Sequence, residues 1–420
     1  MITEYKQVLG NSKFVHLWLS QLFSQLTINV VNFLFLLKLF SLTGSTIATS
    51  LLWISYALPA ILVGPLAAAT VDMVDKRRML MLTNFLQSAS IFFYALLKNP
   101  SIFLLYGLAM TYSFLNQFYV PAEAASLPSV VPKKNLPQAN SIFFLTQQGS
   151  LVLGFAVAGV LNHFLGFSTS LFIGAGFLFM AFVSVALLPP LKPKEELPKN
   201  FEEGLSDFFS RLIEGYQLIK SNRLVLSPLL LLLGLQVSLA MMAVNVPKLV
   251  QDVLGLSANV GMAFIAISAG LGAATGALVI SRLIKAGWRK KRMIDNFLLA
   301  AGIFIFAFIF NSKVFLGPLN MVVSFLAIFF IGLCFIGVVI PTQTFLQEKI
   351  PGGFRGRVFG NYWFLATIVT IFPVLFSGTI AELFGIRLMF FLIGAFTISL
   401  SIASRRWGQN YIEGGAEDGI

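Results

Sequence analysis

Apolar runs of about 20 residues alternate along the chain with short joins of Gly, Pro, Asn or charge. A helix of about 20 mostly apolar residues is long enough to cross the hydrocarbon core of a bilayer. Twelve such runs can be drawn: 14–38, 47–70, 79–98, 101–122, 138–163, 166–188, 224–247, 258–284, 293–312, 316–344, 357–383 and 386–404. The narrowest joins lie at Asn99-Pro100 and at Gly385. The pattern predicts an all-α membrane protein of twelve transmembrane helices.

Residues 189–223 depart from it. They open with PPLKPKEELPKN, a stiff charged linker. Leu205, Phe208, Phe209, Leu212, Ile213, Tyr216 and Ile219 then recur at helical spacing with charges between them. This predicts an amphipathic helix lying on the membrane surface or against the bundle. The chain thereby divides into an N-terminal six-helix bundle (1–188), the linker (189–223), a C-terminal six-helix bundle (224–404) and a polar tail (405–420). The halves echo each other. FYVPAEAASLPSVVPKKNLPQAN joins runs four and five, and VVIPTQTFLQEKIPGGFRGRVFGN joins runs ten and eleven, so that Pro121, Pro132 and Asn140 answer Pro341, Pro351 and Asn361. Parallel six-span repeats are a transporter architecture.

Composition agrees. Charged residues make up 11% of the chain, where soluble domains carry about 25%. A net charge of +12 would suit nucleic acid, but the cations sit in short clusters between apolar runs, which predicts no nucleic-acid partner. With both termini in the cytoplasm of a bacterial inner (plasma) membrane, the outer joins hold only Lys38, Lys98, Lys248, Lys313 and Arg387 of the 29 Lys and Arg, as the positive-inside rule requires. The first run is long enough to be a transmembrane helix rather than a cleaved signal. Cys334 is the only cysteine, His16 and His163 are far apart, and no Gly-Lys dipeptide exists for a Walker A loop. No catalytic residue, metal or cofactor is expected.

Four stretches carry a family resemblance. GPLAAATVDMVDKRRML (64–80) resembles the loop signature between spans two and three of the major facilitator superfamily of secondary transporters, roughly G-P-L-A-G-x-x-A-D-R-x-x-R-R-x. Gly64, Asp72, Arg77 and Arg78 match, while Ala68 stands where Gly is usual and Met73 where Arg is usual. PSVVPKKNLPQANS and PGGFRGRV are similar to the loops before spans five and eleven in the branch of bacterial exporters that includes macrolide efflux and enterobactin export proteins. FFSRLIEGYQLIKSNRL is similar to that branch's mid-chain helix. GSLVLGFAVAG resembles a degraded antiporter signature, with Phe155 for Pro and Ala158 for Gly. The resemblance covers nearly the whole chain. It implies two six-helix pseudo-repeats working by alternating access as a monomer, with a small-molecule substrate, the lipid bilayer and protons as partners. It also implies that the 64–80 loop, through Gly64, Asp72, Asp75, Arg77 and Arg78, locks the halves on the cytoplasmic side, with Arg355 or Arg357 as the cation that meets Asp72. An ordinary positive-inside loop would carry the same charges. Glu123 has two readings: a proton carrier, or a gate residue paired with Arg77 or Lys134.

Buried charges in spans are expensive and usually functional, and here every charge lies near a span end or in a loop. The first span carries amides instead. At about 100° per residue, Gln21, Gln25, Asn29 and Asn32 fall within about 80° of one helix face. Such a stripe lines a substrate cavity or glues helices together. Asn116, Gln117, Gln147, Gln236, Asn245 and Asn361 are further candidates for the cavity. Tyr112, Phe114, Phe118, Met241, Met242, Tyr362 and Trp363 could supply adaptable apolar contact. The related exporters often carry an acid near the position of Thr27-Ile28, and this chain has none there. Three functions remain open: proton-driven export of amphipathic compounds such as drugs or siderophore-like molecules, translocation of a lipid or lysophospholipid, and a non-transporting sensor. The topology makes its own prediction. In a Cys334→Ala background, a cysteine at position 45 should react with an impermeant thiol reagent from outside and one at position 199 only from inside. Outside labelling at position 199 would overturn the twelve-span reading.

Overall fold

A computed structural model describes residues 2–97, 101–132, 135–191, 201–314, 317–351 and 354–412. Among these residues the chain is all-helical. The helices are α1 (Ile2–Leu9), α2 (Ser12–Thr43), α3 (Thr46–Met73), α4 (Lys76–Ala95), α5 (Ile102–Val130), α6 (Leu136–Ala186), α7 (Phe201–Ser221), α8 (Arg223–Leu249), α9 (Ala258–Lys285), α10 (Lys290–Val314), α11 (Pro318–Lys349), α12 (Arg355–Leu383) and α13 (Ile386–Ile412). The runs expected at 138–163 and 166–188 form one helical stretch, α6, broken at Gly166. There φ is 78° and ψ 171°. A Cβ at that point would touch nothing, so it is the backbone angle that calls for glycine. With α6 counted as two spans, twelve long helices stand beside the short α1 and the amphipathic α7. Among the described residues nine segments are long and apolar enough to cross a membrane by composition alone.

The chain folds into two compact units, one of residues 1–39 and 52–210, the other of 40–51 and 211–420. In the first, α4 packs against both α5 and α6. Phe14, Leu17, Leu80, Tyr119 and Val185 share one buried apolar cluster. In the second, α11 packs against α9 and α10, and α13 against α8 and α10. The segment 40–51 binds into this second unit. The hydroxyls of Thr46 and Thr49 donate to the carbonyls of Gly378 (2.7 Å) and Val244 (2.9 Å), and Ser45 donates to the Glu382 carboxylate at 2.7 Å.

The echo between the halves extends to the backbone. A residue before proline is pushed out of the helical region. Val131, before Pro132, closes α5 at φ −120°, ψ 136°, and Ile350, before Pro351, closes α11 at φ −86°, ψ 126°. In both places the proline carbonyl then accepts the N–H three residues on, Asn135 and Phe354, each at 2.9 Å. Asn135 and Phe354 begin the next helix with nearly the same angles, −103°, 0° and −102°, −10°.

In both units a cation in the first turn of one helix ties it to the backbone of another. The last carbonyls of a helix have no partner within it and attract a cation. Arg77, in the first turn of α4, donates to the carbonyls of Val185 (3.4 Å) and Ala186 (2.5 Å) at the end of α6. Lys291, in the first turn of α10, donates to the Ser404 carbonyl of α13 at 2.7 Å and to the Asp295 carboxylate at 2.6 Å. Asp295 also accepts from the Ser404 hydroxyl at 2.5 Å and is buried. Removing one partner of a buried pair leaves the other charge uncompensated. Lys291→Met should therefore lower stability by about 3–5 kcal/mol, read as a fall in melting temperature of the purified protein. Lys291→Met with Asp295→Leu should recover most of the loss. An unchanged melting temperature for the single variant would show that the ion pair does not hold the helix end.

Candidate functional site

Helix α2 is held on two faces. On one, Asn84 of α4 donates to the Ser20 hydroxyl at 3.1 Å, and the Thr27 hydroxyl donates to the Gly174 carbonyl at 3.3 Å. On the other, Trp18 donates its indole N–H to Thr146 at 2.8 Å, and the Gln21 amide donates to the Phe143 carbonyl at 3.3 Å. The amide stripe thus faces the first half of α6. Asn29 bonds the Gln25 carbonyl at 2.8 Å and packs against Gly154. A Cβ on Gly154 would come within 2.5 Å of the Asn29 Cβ, so a glycine of the degraded antiporter signature lets α6 approach the stripe.

The four amides divide by partner. Gln21 and Asn29 are buried and bonded. Gln25 and Asn32 are half-buried, and their side chains bond no described residue. The oxygens of Gln21 and Asn32 are buried without a partner. A buried unpaired amide oxygen is costly, so this face is polar beyond what helix packing requires.

Among the described residues no side-chain bond joins the other cavity candidates to the stripe. On α5, Asn116 is half-buried without a bond, and Gln117 donates back to the Ser113 carbonyl at 3.0 Å. Gln147 of α6 is exposed, and Gln236 of α8 is half-buried. Asn245 ties α8 to α12 through the Ser377 hydroxyl at 2.9 Å, with its own oxygen unpartnered. Asn361 lies under α7 and donates to the Leu212 carbonyl at 3.0 Å. Tyr362 is buried in an apolar cluster with Ile219, Val225 and Leu346.

For the gate candidates, the contacts within the units are specific. Asp75 caps α4, accepting from Arg77 N–H at 2.9 Å and Leu191 N–H at 3.1 Å. Arg77 is engaged at the end of α6, as described above. Arg78 is exposed, and Gly64 has ordinary space for a Cβ, with the Gln117 oxygen 3.6 Å away. The side chains of Asp72 and Arg355, and Lys134, lie outside the described residues. Two of the expected gate residues make contacts of their own. Arg357 binds the Glu214 carboxylate of α7 and lies over the Phe354 ring, because α7 docks on the first turns of α12. Glu123 is not paired with Arg77. It is 8% exposed and accepts from the Tyr119 hydroxyl at 2.8 Å.

Sequence reasoning passed over the surroundings of Glu123. Tyr112, Tyr119 and Glu123 recur at spacings of seven and four on one face of α5, and the Ser20 and Ser24 hydroxyls of α2 lie beside Tyr119. That spacing was the available signal.

A family model described as Major Facilitator Superfamily matches residues 17–373. An uncharacterized MFS-type transporter of Bacillus subtilis (strain 168), YfiS, is 25% identical over 378 residues, covering 87% of this chain and 86% of that protein. The enterobactin exporter EntS of Escherichia coli O1:K1 / APEC is 30% identical over 189 residues, 45% of this chain and 43% of its own length. That likeness spans less than half of either protein. Among solved structures, the POT family transporter PepTSo matches with a TM-score of 0.72 at 12% identity, covering 97% of this chain and 99% of that one. The nucleoside transporter NupG matches with a TM-score of 0.68 at 12% identity, covering 94% and 98%. At such identity the likeness is one of fold.

The close approach at Gly154 is directly testable. Gly154→Ala should cost about 1–3 kcal/mol of stability through overpacking against Asn29, measured by thermal melting. Gly149→Ala, where a Cβ meets nothing within 4 Å, should leave the melting temperature unchanged. Equal effects of the two changes would contradict the contact.

Proposed function

The chain belongs to the Major Facilitator Superfamily, and from that premise we propose that it is a proton-driven exporter of amphipathic, largely neutral small molecules, drug-like or siderophore-like, working by alternating access. The observation that carries this reading is the amide face of α2. It is polar, it bears no charge, and the side chains of Gln25 and Asn32 bond no described residue. Such a face hydrogen-bonds a neutral polar group without demanding a countercharge on the substrate. The partial likeness to the enterobactin exporter supports the outward direction. The distribution of Lys and Arg supports a bacterial inner membrane location with both termini in the cytoplasm.

The same uncharged face would also suit a lipid headgroup, with the acyl tails left in the bilayer. Flux into proteoliposomes separates the two readings. Labelled macrolide and labelled enterobactin should be taken up faster into vesicles with an acidic lumen than without a gradient. Collapsing the gradient with an ionophore should remove the difference. Movement of a labelled lysophospholipid alone, or uptake of all three probes indifferent to the gradient, would reject proton-driven export.

A further inference from the structure

Residues 282–292, which join α9 to α10, hold six Lys and Arg and no acid. The join at 72–78, in the matching place of the first repeat, sets Asp72 and Asp75 against its three cations. Two of the six cations have partners. Lys290 binds the Glu348 carboxylate, and Lys291 binds Asp295 and the Ser404 carbonyl. The side chains of Arg282, Arg289 and Arg292 are exposed and bond no described residue.

The fold gathers these guanidiniums. Arg289 opens the first turn of α10, its carbonyl accepting from the Met293 N–H at 3.2 Å. Arg289, Arg292 and Asn296 then follow at spacings of three and four, along one helix face. Arg405 of α13 donates to the Asn296 side-chain oxygen at 3.0 Å, which brings a third guanidinium to the same strip. The two helices are fixed to each other there, through Lys291 and through the Ser401 hydroxyl, which donates to the Asp295 carbonyl at 2.8 Å. Like charges held side by side repel, so the strip is suited to an anion that covers it. Its position says which. Arg292 and Arg405 stand directly outside the apolar runs 293–312 and 386–404, at the level of lipid headgroups. Trp288 points the same way. Helix α9 ends at Gly287, where φ is 79°, and the N–H groups of Gly287 and Trp288 return to the carbonyls of Ile284 and Leu283, each at 3.1 Å. That closed turn sets the indole beside Arg289, 60% exposed. Tryptophan is favoured at the membrane–water interface, where one side of the ring is apolar and the other wet.

We propose that the strip of Arg289, Arg292, Asn296 and Arg405 binds the phosphate of an anionic phospholipid, in the leaflet that the end of α13 faces, with the Trp288 indole seated at the same depth. A guanidinium meets a phosphate through parallel N–H donors, and Asn296 adds an amide N–H. An ordinary basic loop attracts a charged leaflet as a whole. Here the ties between α10 and α13 hold the charges in one place, so individual lipids are bound. The site does not depend on what the protein carries or on what drives it.

Native mass spectrometry of the purified full-length protein in neutral detergent tests it, with phosphatidylglycerol as the probe and phosphatidylcholine as the neutral comparison. Arg289→Gln, Arg292→Gln and Arg405→Gln together should weaken phosphatidylglycerol binding by at least about tenfold and leave phosphatidylcholine binding unchanged. Lys6→Gln, Lys13→Gln and Arg78→Gln together remove the same charge from exposed cations of the first unit and should leave both unchanged. Equal weakening by the two triple variants would show a diffuse attraction and overturn the proposal, as would wild-type phosphatidylglycerol binding in the first. If the first triple does not fold, Arg292→Gln alone decides: a several-fold loss is expected, and wild-type binding would overturn it. Full competition by inorganic phosphate would make this a free-anion site and overturn it. Binding that appears only after removal of residues 413–420, with Glu413, Glu417 and Asp418, would make the tail the occupant and overturn it as well.

Discussion

Helices that cross a bilayer have no solvent for their polar side chains, so each such group must find its partner inside its own bundle. Helix α2 shows how far that constraint reaches in the first unit. Its Ser20 and Thr27 face is bonded to α4 and to the second half of α6. Its Trp18 and Gln21 face is bonded to the first half of α6. Gly154 is the residue that lets the second contact close around Asn29. With both sides engaged, Gln25 and Asn32 are the amides of the stripe whose side chains bond no described residue, which is why the proposal places recognition there.

The same economy of partners explains two of the charges in the knot at 72–78. Asp75 and Arg77 close helix ends: Asp75 caps the start of α4, and Arg77 covers the last carbonyls of α6. In the other unit Lys291 ties the first turn of α10 to the Ser404 carbonyl of α13, with the Asp295 carboxylate beside it.

Much of this was legible in the chain. The apolar runs gave the helices because a bilayer tolerates little else. Pro132 and Pro351 marked matching hinges because the residue before a proline is forced extended, a local rule that survives any packing. What could not be read was long-range. The docking of α7 on α12 turns Asn361 from a cavity candidate into a donor to Leu212 and gives Arg357 the Glu214 carboxylate, and no local pattern encodes which helix an amphipathic face covers. Helix continuity through residues 164–165 was also hidden, because only the backbone angle at Gly166 separates the two spans.

The central claim is that the α2 amides divide into packing and recognition. It is tested most directly by measuring melting temperature and equilibrium affinity for one transported probe, the labelled macrolide or enterobactin, on the same purified variants. Asn29→Ala should lower the melting temperature and leave affinity near wild type, because its buried amide is already engaged by the Gln25 carbonyl within α2. Asn32→Ala should keep the melting temperature and weaken binding by about 1–3 kcal/mol if a polar group of the probe is left unpaired. The reverse pattern, or a loss of stability without loss of affinity in both variants, would contradict the account and move the recognition site off α2.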